Sequence, residues 1–255
     1  MNAKECIFFD LQNLGIKKGD ALFVHSSFKS LGEIEGGAQA FFDALISYLG
    51  EEGTLVFPAF TFGEVTLENP VCSMKNSKSA VGYLSEYFRT QVSGVKRSRH
   101  ATHSCCAWGK YRDFLVQDHQ KDNCAVGKNS PIYKLQELGG KILFLGCSTD
   151  RNTAMHGVER IYGSVPFSSP YESVYTIITE EGDKINQTLS RGAFVVNGVE
   201  YAQKYSRMEN LLNKEEMQRG KILAANCVVM SSKAVWEKGL QKMREDVFYF
   251  VEPIK

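Results

Sequence analysis

Short apolar runs alternate along the chain with segments whose apolar residues have helical spacing. The runs predict buried strands at 21–25, 54–60, 142–146, 226–230 and 246–251. Apolar positions three and four residues apart predict a helix after Gly36, and further helices at 79–91 and 231–243. This alternation is typical of an α/β protein, and we expect a central sheet flanked by helices.

The pattern changes between residues 171 and 205. Stretches of β-forming residues at 175–179 and 193–196 are each followed by a turn signal, at 181–183 and 197–198. The segment therefore predicts an antiparallel hairpin excursion, which would form a substrate-side flap or an interface. We expect residues 1–255 to form one domain that includes this excursion.

The most informative segment is 141–159, where an apolar run ends in Gly146 and a polar stretch follows. The run is typical of a buried strand, and Asp150 or Asn152 can cap the helix that comes next. This helix would carry a hydroxyl, an imidazole and a carboxylate at three-residue spacing: Thr153, His156 and Glu159. Such a face, at the carboxyl end of a strand, has what general-base catalysis needs. A structural histidine is the alternative, because this spacing also arises by chance.

A second segment, 20–32, has a similar construction. An apolar run ends in His25, and three hydroxyl side chains follow it at Ser26, Ser27 and Ser30. Together with the backbone amides at the start of the helix after Gly36, these hydroxyls can hold a phosphate group. A capped turn without a ligand explains the same residues.

Several blocks of the chain, in this order, resemble the aminoglycoside 3-N-acetyltransferase family. They are Val24–Gly32, Gly36–Gln39, Gly53–Thr61, Arg97–Gly109 and Leu145–Glu159. The resemblance covers about residues 14–160 and fades beyond residue 165. Ala101 departs from it, since the family usually has proline at this position.

The resemblance implies acetyl transfer from acetyl-CoA to an amine on a sugar ring, within a mixed-sheet α/β fold. His156 would remove the proton of the amine, and Glu159 or Asp150 would orient its ring. Thr153 would hydrogen-bond the thioester oxygen or the substrate.

Cofactor and acceptor contacts follow from the same matching blocks. Residues expected to contact acetyl-CoA are His25, Ser26, Ser27, Ser30, Leu31, Gly32, Arg97, Ser98 and Ser104. Residues expected to contact the acceptor are His100, His103 and Phe60. The basic run that contains Arg97 can neutralise CoA phosphates, although such a run also occurs in solvated loops.

Composition restricts the remaining classes. With 255 residues and 43% hydrophobic content the chain can bury a large core. No apolar run has the length of a membrane span, and charged residues interrupt the N-terminal segment where a signal peptide would be apolar, so we expect a cytoplasmic enzyme. Seven cysteines without a C-x-x-C pair suit a reducing compartment. We expect no metal, because His100, His103 and Cys105 form the only cluster with ligand character.

Charge bears on the partners. A net charge of +1 without a basic stripe argues against nucleic acid as a partner. An aminoglycoside is a polycation that carboxylates attract, yet the acidic residues between 110 and 128 are interleaved with basic ones. Our primary expectation is therefore a biosynthetic amino-sugar acceptor, including nucleotide-linked sugars. Aminoglycoside 3-N-acetylation, which confers antibiotic resistance, is the alternative.

Two alternatives belong to other classes. Cys147 or Cys106 would be the nucleophile of a hydrolase or of a ping-pong acyltransferase, although the residues around Cys147 lack the second glycine of a nucleophile elbow. The other alternative is a catalytically inactive CoA-binding module. A homo-oligomer is compatible with the sequence.

Overall fold

The computed structural model describes residues 2–163 and 165–254, and the backbone alone at Pro170 and Arg191. The helices are α1 Ala3–Asn13, α2 Gly37–Leu49, α3 Tyr83–Gln91, α4 Arg112–Val116, α5 Pro131–Glu137, α6 Ala154–Tyr162 and α7 Ser232–Glu245. The strands are β1 Ala21–Ser26, β2 Thr54–Pro58, β3 Val71–Ser73, β4 Lys96–Arg97, β5 Cys105–Gly109, β6 Lys141–Leu145, β7 Ser168–Ile178, β8 Lys184–Gly192, β9 Val195–Val196, β10 Val199–Gln203, β11 Met217–Ile222, β12 Ala225–Ser231 and β13 Val251–Pro253.

Seven strands form the central sheet in the order β11-β12-β6-β1-β2-β5-β4. Strands β6, β1 and β2 are parallel, whereas β12 and β5 pair antiparallel at their flanks. The mixed α/β sheet expected from the sequence is confirmed. Because the parallel strands lie at the centre, their carboxyl ends open at one edge, where sheets of this kind bind ligands.

Helices cover both faces of the sheet, and alternate residues of β1 show how. Leu22 and Val24 pack into the core beneath α1, α2 and α3, while Phe23 packs into the core beneath α5, α6 and α7. All three side chains are buried, which is why the strand is an uninterrupted apolar run.

Close packing between α6 and α7 depends on Gly157. A Cβ atom there would lie 2.0 Å from the ring of Trp236, so only glycine lets the two helices approach this closely. This contact sets the position of α6, the helix that carries His156.

The excursion is built as expected. Strands β7 and β8 form an antiparallel hairpin, and β3 adds to it in parallel. A second turn at Asn197 and Gly198, with φ of 50° and 80°, joins β9 to β10. Left-handed backbone at two successive residues is what an Asn-Gly hairpin turn requires.

Two predicted elements differ from the structure. The strand expected at 246–251 is the short β13, which pairs with β10 outside the central sheet. Asp246 accepts a hydrogen bond from the amide of Phe248 (3.0 Å), and this turn keeps the preceding residues out of strand geometry. Helix α3 begins at Tyr83, four residues later than expected. Within the described residues, none of the helices is both long and apolar enough to cross a membrane.

Candidate active site

The turn between β6 and α6 places the candidate residues at the carboxyl edge of the sheet. Residues 149–151 form a turn of 3-10 helix in which the side chain of Ser148 accepts a hydrogen bond from the amide of Asp150, and α6 begins after Thr153. The expected helix cap at Asp150 or Asn152 is wrong. The carboxylate of Asp150 instead accepts a hydrogen bond from the backbone amide of Ser206 (2.7 Å) and so fastens the turn to a later segment of the chain.

His156, Glu159 and Tyr205 form a hydrogen-bonded group. The Nδ1 atom of His156 lies 3.2 Å from Oε2 of Glu159 and 3.1 Å from the hydroxyl of Tyr205. The Tyr205 hydroxyl donates to Oε1 of Glu159 at 2.7 Å. Glu159 and Tyr205 are buried, whereas the side chain of His156 is 23% exposed. Of the two carboxylates expected to orient His156, Glu159 is the one in hydrogen-bond contact with it.

A first cavity, which we call the strand-end cavity, has a volume of about 470 Å³. It is lined by His25, Ser26, Pro58, Phe60, Phe62, Ala80, Val81, Gly82, His103, Cys147, Asp150, Arg151, Asn152, Thr153, His156, Gln203 and Tyr205. Burial and the charge of Arg151 lower the pKa of His25 to about 3, so its imidazole is neutral at physiological pH.

A second cavity, the hairpin cavity, has a volume of about 310 Å³ and lies between α6 and the β7–β8 hairpin. Aromatic side chains line it at Phe62, Phe167, Tyr175 and Phe194, and serine residues line it at positions 168, 169 and 190. Among the lining side chains that the structure describes, those of Glu159 and Arg160 are the acidic and basic ones. The excursion thus supplies one wall of this cavity.

His156 lines both cavities, and so do Phe62, His103 and Gln203. The ring centroids of His103 and His156 are 6.2 Å apart, and Phe60 lies 4.9 Å from His103. A titratable side chain at the junction of two cavities can act on groups brought in from opposite sides.

Arg97 was expected to contact the phosphates of CoA, but its guanidinium is hydrogen-bonded within the protein. Its guanidinium donates hydrogen bonds to the carbonyls of Met74, Ser77 and Ala59 and to the hydroxyl of Ser104. These partners accept four hydrogen bonds from the five N–H donors of the guanidinium, so the side chain joins separate segments of backbone inside the protein.

Ser98, Ser104 and His100 are wholly buried and have partners in the interior. Ser98 bonds Nδ1 of His119 (2.8 Å), and Ser104 donates to the carbonyl of Ala59 (2.8 Å). His100 donates from Nε2 to the carbonyl of Cys124 (3.0 Å) and accepts two backbone amides at Nδ1. Burial lowers the pKa of His100 to about 4. None of the three lines the two cavities.

Of the other residues expected to contact acetyl-CoA, those that follow β1 do not line the strand-end cavity. Ser30 donates to the carbonyl of Ser27 (2.6 Å), and Leu31 is buried in the core. Gly32 has a φ of 80°, which suits the end of this turn. Ser26 lines the cavity, whereas Ser27, Ser30, Leu31 and Gly32 do not.

The structure argues against Cys147 or Cys106 as the nucleophile of a hydrolase or of a ping-pong acyltransferase. Burial raises the pKa of Cys147 to about 11 and that of Cys106 to about 12. A nucleophilic cysteine needs the thiolate form, which neither side chain supplies near neutral pH. Within residues 2–163 and 165–254, no three histidine, cysteine or acidic side chains are grouped so that they could hold a metal ion.

Comparison with known proteins assigns the chain to a family. Residues 23–244 match the family model described as aminoglycoside 3-N-acetyltransferase. The chain belongs to this family. It is therefore an acetyl-CoA-dependent N-acetyltransferase.

Relatives within the family are moderately similar in sequence. The YokD protein of Bacillus subtilis strain 168, described as a prophage-derived aminoglycoside N(3')-acetyltransferase-like protein, is 28% identical over 260 residues, which cover 89% of this chain and 87% of YokD. An aminoglycoside N(3)-acetyltransferase III of Acinetobacter baumannii is 31% identical over 176 residues, 63% of this chain and 61% of that relative.

Solved structures share the fold of the chain. The aminoglycoside acetyltransferase AAC(3)-IVa apoenzyme superposes with a TM-score of 0.80 at 25% identity, over 98% of this chain and 91% of that one. AAC-IIIb, solved as a binary complex with CoASH, superposes with a TM-score of 0.81 at 24% identity, over 95% and 96%.

Tyr205 belongs to the candidate site, although no pattern in the sequence indicated it. It lies 46 residues beyond Glu159 in the chain, in a turn of 3-10 helix after the excursion. No local spacing connects it to the His156 segment. Phe62 was also missed, although it directly follows the matching block Gly53–Thr61.

Proposed function

We propose that the enzyme acetylates an amine of an aminoglycoside and that His156 is the general base. The observation that carries this proposal is the position of His156 at the junction of the two cavities, with its Nδ1 atom held by Glu159 and Tyr205. The acyl donor would enter on one side of the imidazole and the acceptor on the other.

The hydrogen bonds at Nδ1 determine which nitrogen acts. The Tyr205 hydroxyl uses its proton on Oε1 of Glu159, so the hydroxyl oxygen and Oε2 are both acceptors near Nδ1 of His156. Two acceptors favour a proton on Nδ1, which leaves the lone pair on Nε2 as the base. The carboxylate of Glu159 stabilises the imidazolium that forms after proton transfer.

The reaction then has few steps. Nε2 of His156 takes a proton from the amine, and the amine nitrogen bonds to the thioester carbon. The negative charge that develops on the thioester oxygen is stabilised by a hydrogen bond from the hydroxyl of Thr153, which lines the strand-end cavity and would turn to the thioester from the carbonyl of Arg151, its acceptor at 3.3 Å in the structure. The carbon–sulfur bond breaks, and the proton on His156 neutralises the departing CoA thiolate.

The strand-end cavity suits the donor. It lies at the carboxyl ends of β1 and β6, where ligands of such sheets bind, and it contains His25, Ser26 and Thr153 from the set expected to contact acetyl-CoA or the thioester. A relative with the same fold was solved with CoASH. Because Arg97, Ser98 and Ser104 are engaged in the interior, we assign the CoA contacts to residues of this cavity.

The hairpin cavity suits an amino-sugar ring. Aromatic side chains can pack against the apolar face of a sugar, and the three serine residues offer hydroxyls for hydrogen bonds. Glu159 contributes a carboxylate where a cationic amine would arrive. AAC(3)-IVa, which has the same fold, was solved as a mutant in complex with a gentamicin.

The comparisons favour the aminoglycoside acceptor over the biosynthetic amino sugar that was our primary expectation. That expectation rested on the charges between 110 and 128. Asp113, Asp118 and Asp122 pair with or bind residues of their own surroundings and line neither cavity. The charge pattern of this segment therefore says nothing about the acceptor.

A thiol-release assay tests the proposal. Purified enzyme is mixed with acetyl-CoA and either gentamicin-like aminoglycosides or amino-sugar nucleotides, and free CoA is measured with a thiol reagent. We expect turnover with aminoglycosides at kcat/KM of about 10⁴ M⁻¹s⁻¹ or more, and mass spectrometry should show one added acetyl group on an amine. Turnover confined to amino-sugar nucleotides would refute the acceptor assignment. A cytoplasmic location stays a prediction, and so does the absence of a nucleic-acid partner.

A further inference from the structure

Asn152 lies between the 3-10 turn at residues 149–151 and helix α6, and its backbone is fully used. Its amide donates to the carbonyl of Thr149, and its carbonyl accepts from the amide of Met155, both at 3.1 Å. The residue is 0% exposed and lines the strand-end cavity but not the hairpin cavity. Asn152 is thus a buried wall residue next to Thr153.

Both polar atoms of the Asn152 side-chain amide, Nδ2 and Oδ1, lack a hydrogen-bond partner among the residues that the structure describes. A buried amide without partners destabilises the fold, since its hydration is lost and nothing replaces it. A side chain kept in this position at such a cost indicates a partner that arrives with the ligand.

The chemistry of the two atoms restricts what that partner is. Nδ2 can only donate and Oδ1 can only accept, so a partner that can bond either atom must carry both an acceptor and a donor, which a trans amide presents on opposite sides. A thioester carbonyl only accepts, and a phosphate only accepts and carries charge. A secondary amide offers both groups, and the pantetheine arm of CoA has one separated from its sulfur by an ethylene unit.

We infer that Asn152 pairs with the pantetheine amide nearest the thioester of the acyl donor. This inference rests on the proposed function, because it assumes that acetyl-CoA occupies the strand-end cavity. The pairing fixes the thioester beside Thr153 and His156, whose side chains line the same cavity. Asn152 is thus a specificity-determining residue for the donor arm.

Truncated donors test the pairing. S-Acetyl-N-acetylcysteamine retains this amide, whereas S-butyl thioacetate lacks it. We expect the parent enzyme to prefer the amide-bearing thioester by about 10- to 100-fold in kcat/KM, because a site built for a hydrogen bond rejects a donor that lacks it. In Asn152→Leu the preference should fall to within about 3-fold.

Asn226→Leu is the matched control. Asn226 is exposed on β12 and lines neither cavity, and its variant has the same replacement of asparagine by leucine. We expect it to keep the parent's preference between the two thioesters. A parent-like preference in Asn152→Leu would overturn the inference.

Stability and binding separate this role from a structural one. Replacing an unsatisfied buried amide with an apolar side chain of similar volume should leave the unfolding temperature of the free enzyme equal or higher. Calorimetry should show CoA binding weakened by about 10-fold in Asn152→Leu. A lower unfolding temperature with unchanged CoA affinity would overturn the inference. If the leucine variant does not fold, Asn152→Ala serves for the same comparison.

The outcomes also distinguish the inference from the function on which it rests. A parent enzyme that neither binds CoA nor releases thiol with any acceptor would refute the proposed function and the pairing together. A parent enzyme that turns over acetyl-CoA, with the thioester preference intact in Asn152→Leu, would refute the pairing alone.

Discussion

Oε2 of Glu159 lies 3.2 Å from Nδ1 of His156, one turn earlier on the same helix. The carboxylate is buried, so its charge acts on the imidazole with little screening. In the proposed mechanism, this relationship makes Glu159 the residue that holds the imidazole of His156 in its active tautomer.

Glu159→Gln tests that role. The amide keeps the size of the side chain but removes its charge, so the imidazolium formed during proton transfer loses its stabilisation. We expect kcat to fall by about 10- to 1000-fold with a small change in KM for acetyl-CoA. Steady-state kinetics measure both, and Asp150→Asn serves as the comparison. A larger loss of kcat in Asp150→Asn would transfer the orienting role to Asp150.

Arg97→Met should affect folding and not the cofactor. The guanidinium is bonded to three carbonyls and one hydroxyl, and removing it takes this partner from the carbonyls of Met74 and Ser77, whereas the carbonyl of Ala59 keeps the hydroxyl of Ser104. We expect a loss of about 3 kcal/mol or more, which lowers the unfolding temperature by at least about 5 °C, while KM for acetyl-CoA stays near the parent value. A large increase in KM with unchanged stability would return Arg97 to the CoA phosphates.

Acid should destabilise the fold through its buried histidines. Burial lowers the pKa of His25 to about 3 and that of His100 to about 4, from 6.5 in the unfolded chain. The unfolded chain therefore takes up protons first, so this stability is fully present above pH 6.5 and is lost as pH falls from there toward 4.

Denaturant titrations at pH 7 and pH 5 measure the effect. We expect each of these two histidines to reduce the free energy of unfolding by about 2 kcal/mol over that interval. Nitrogen NMR of the native protein at pH 5.5 should show neutral rings for both. Protonated ring signals for either residue in the folded enzyme would contradict the account.

Cys147→Ala should retain activity. The thiol lines the strand-end cavity, but its raised pKa keeps it protonated at neutral pH. We expect kcat within a few-fold of the parent, and intact-protein mass spectrometry after mixing with acetyl-CoA should show no stable added acetyl group. Acetylation of a peptide that contains Cys147 would instead indicate a ping-pong mechanism.

The sequence predicts the centre of the fold better than its margins. Strands β1 and β6 are buried on both faces, so their apolar runs are visible without any knowledge of their neighbours. Strand β11 has mostly exposed residues and exists through its pairing with β12. Nothing in its local composition indicates a strand.

The candidate site divides in the same way. The spacing of His156 and Glu159 places them on one helix face, and this local relationship was predictable. The contact between Tyr205 and Glu159 depends on how a distant turn packs against α6, which no local pattern encodes. The buried state of His100 was unpredictable for the same reason, since its partner at Cys124 lies in another segment.

The central claim is that His156 removes the proton from the acceptor amine, and His156→Ala tests it most directly. Steady-state kinetics with acetyl-CoA and an aminoglycoside should show kcat reduced by about 10²- to 10⁴-fold, while calorimetry shows CoA binding close to that of the parent. Activity within a few-fold of the parent would contradict the account.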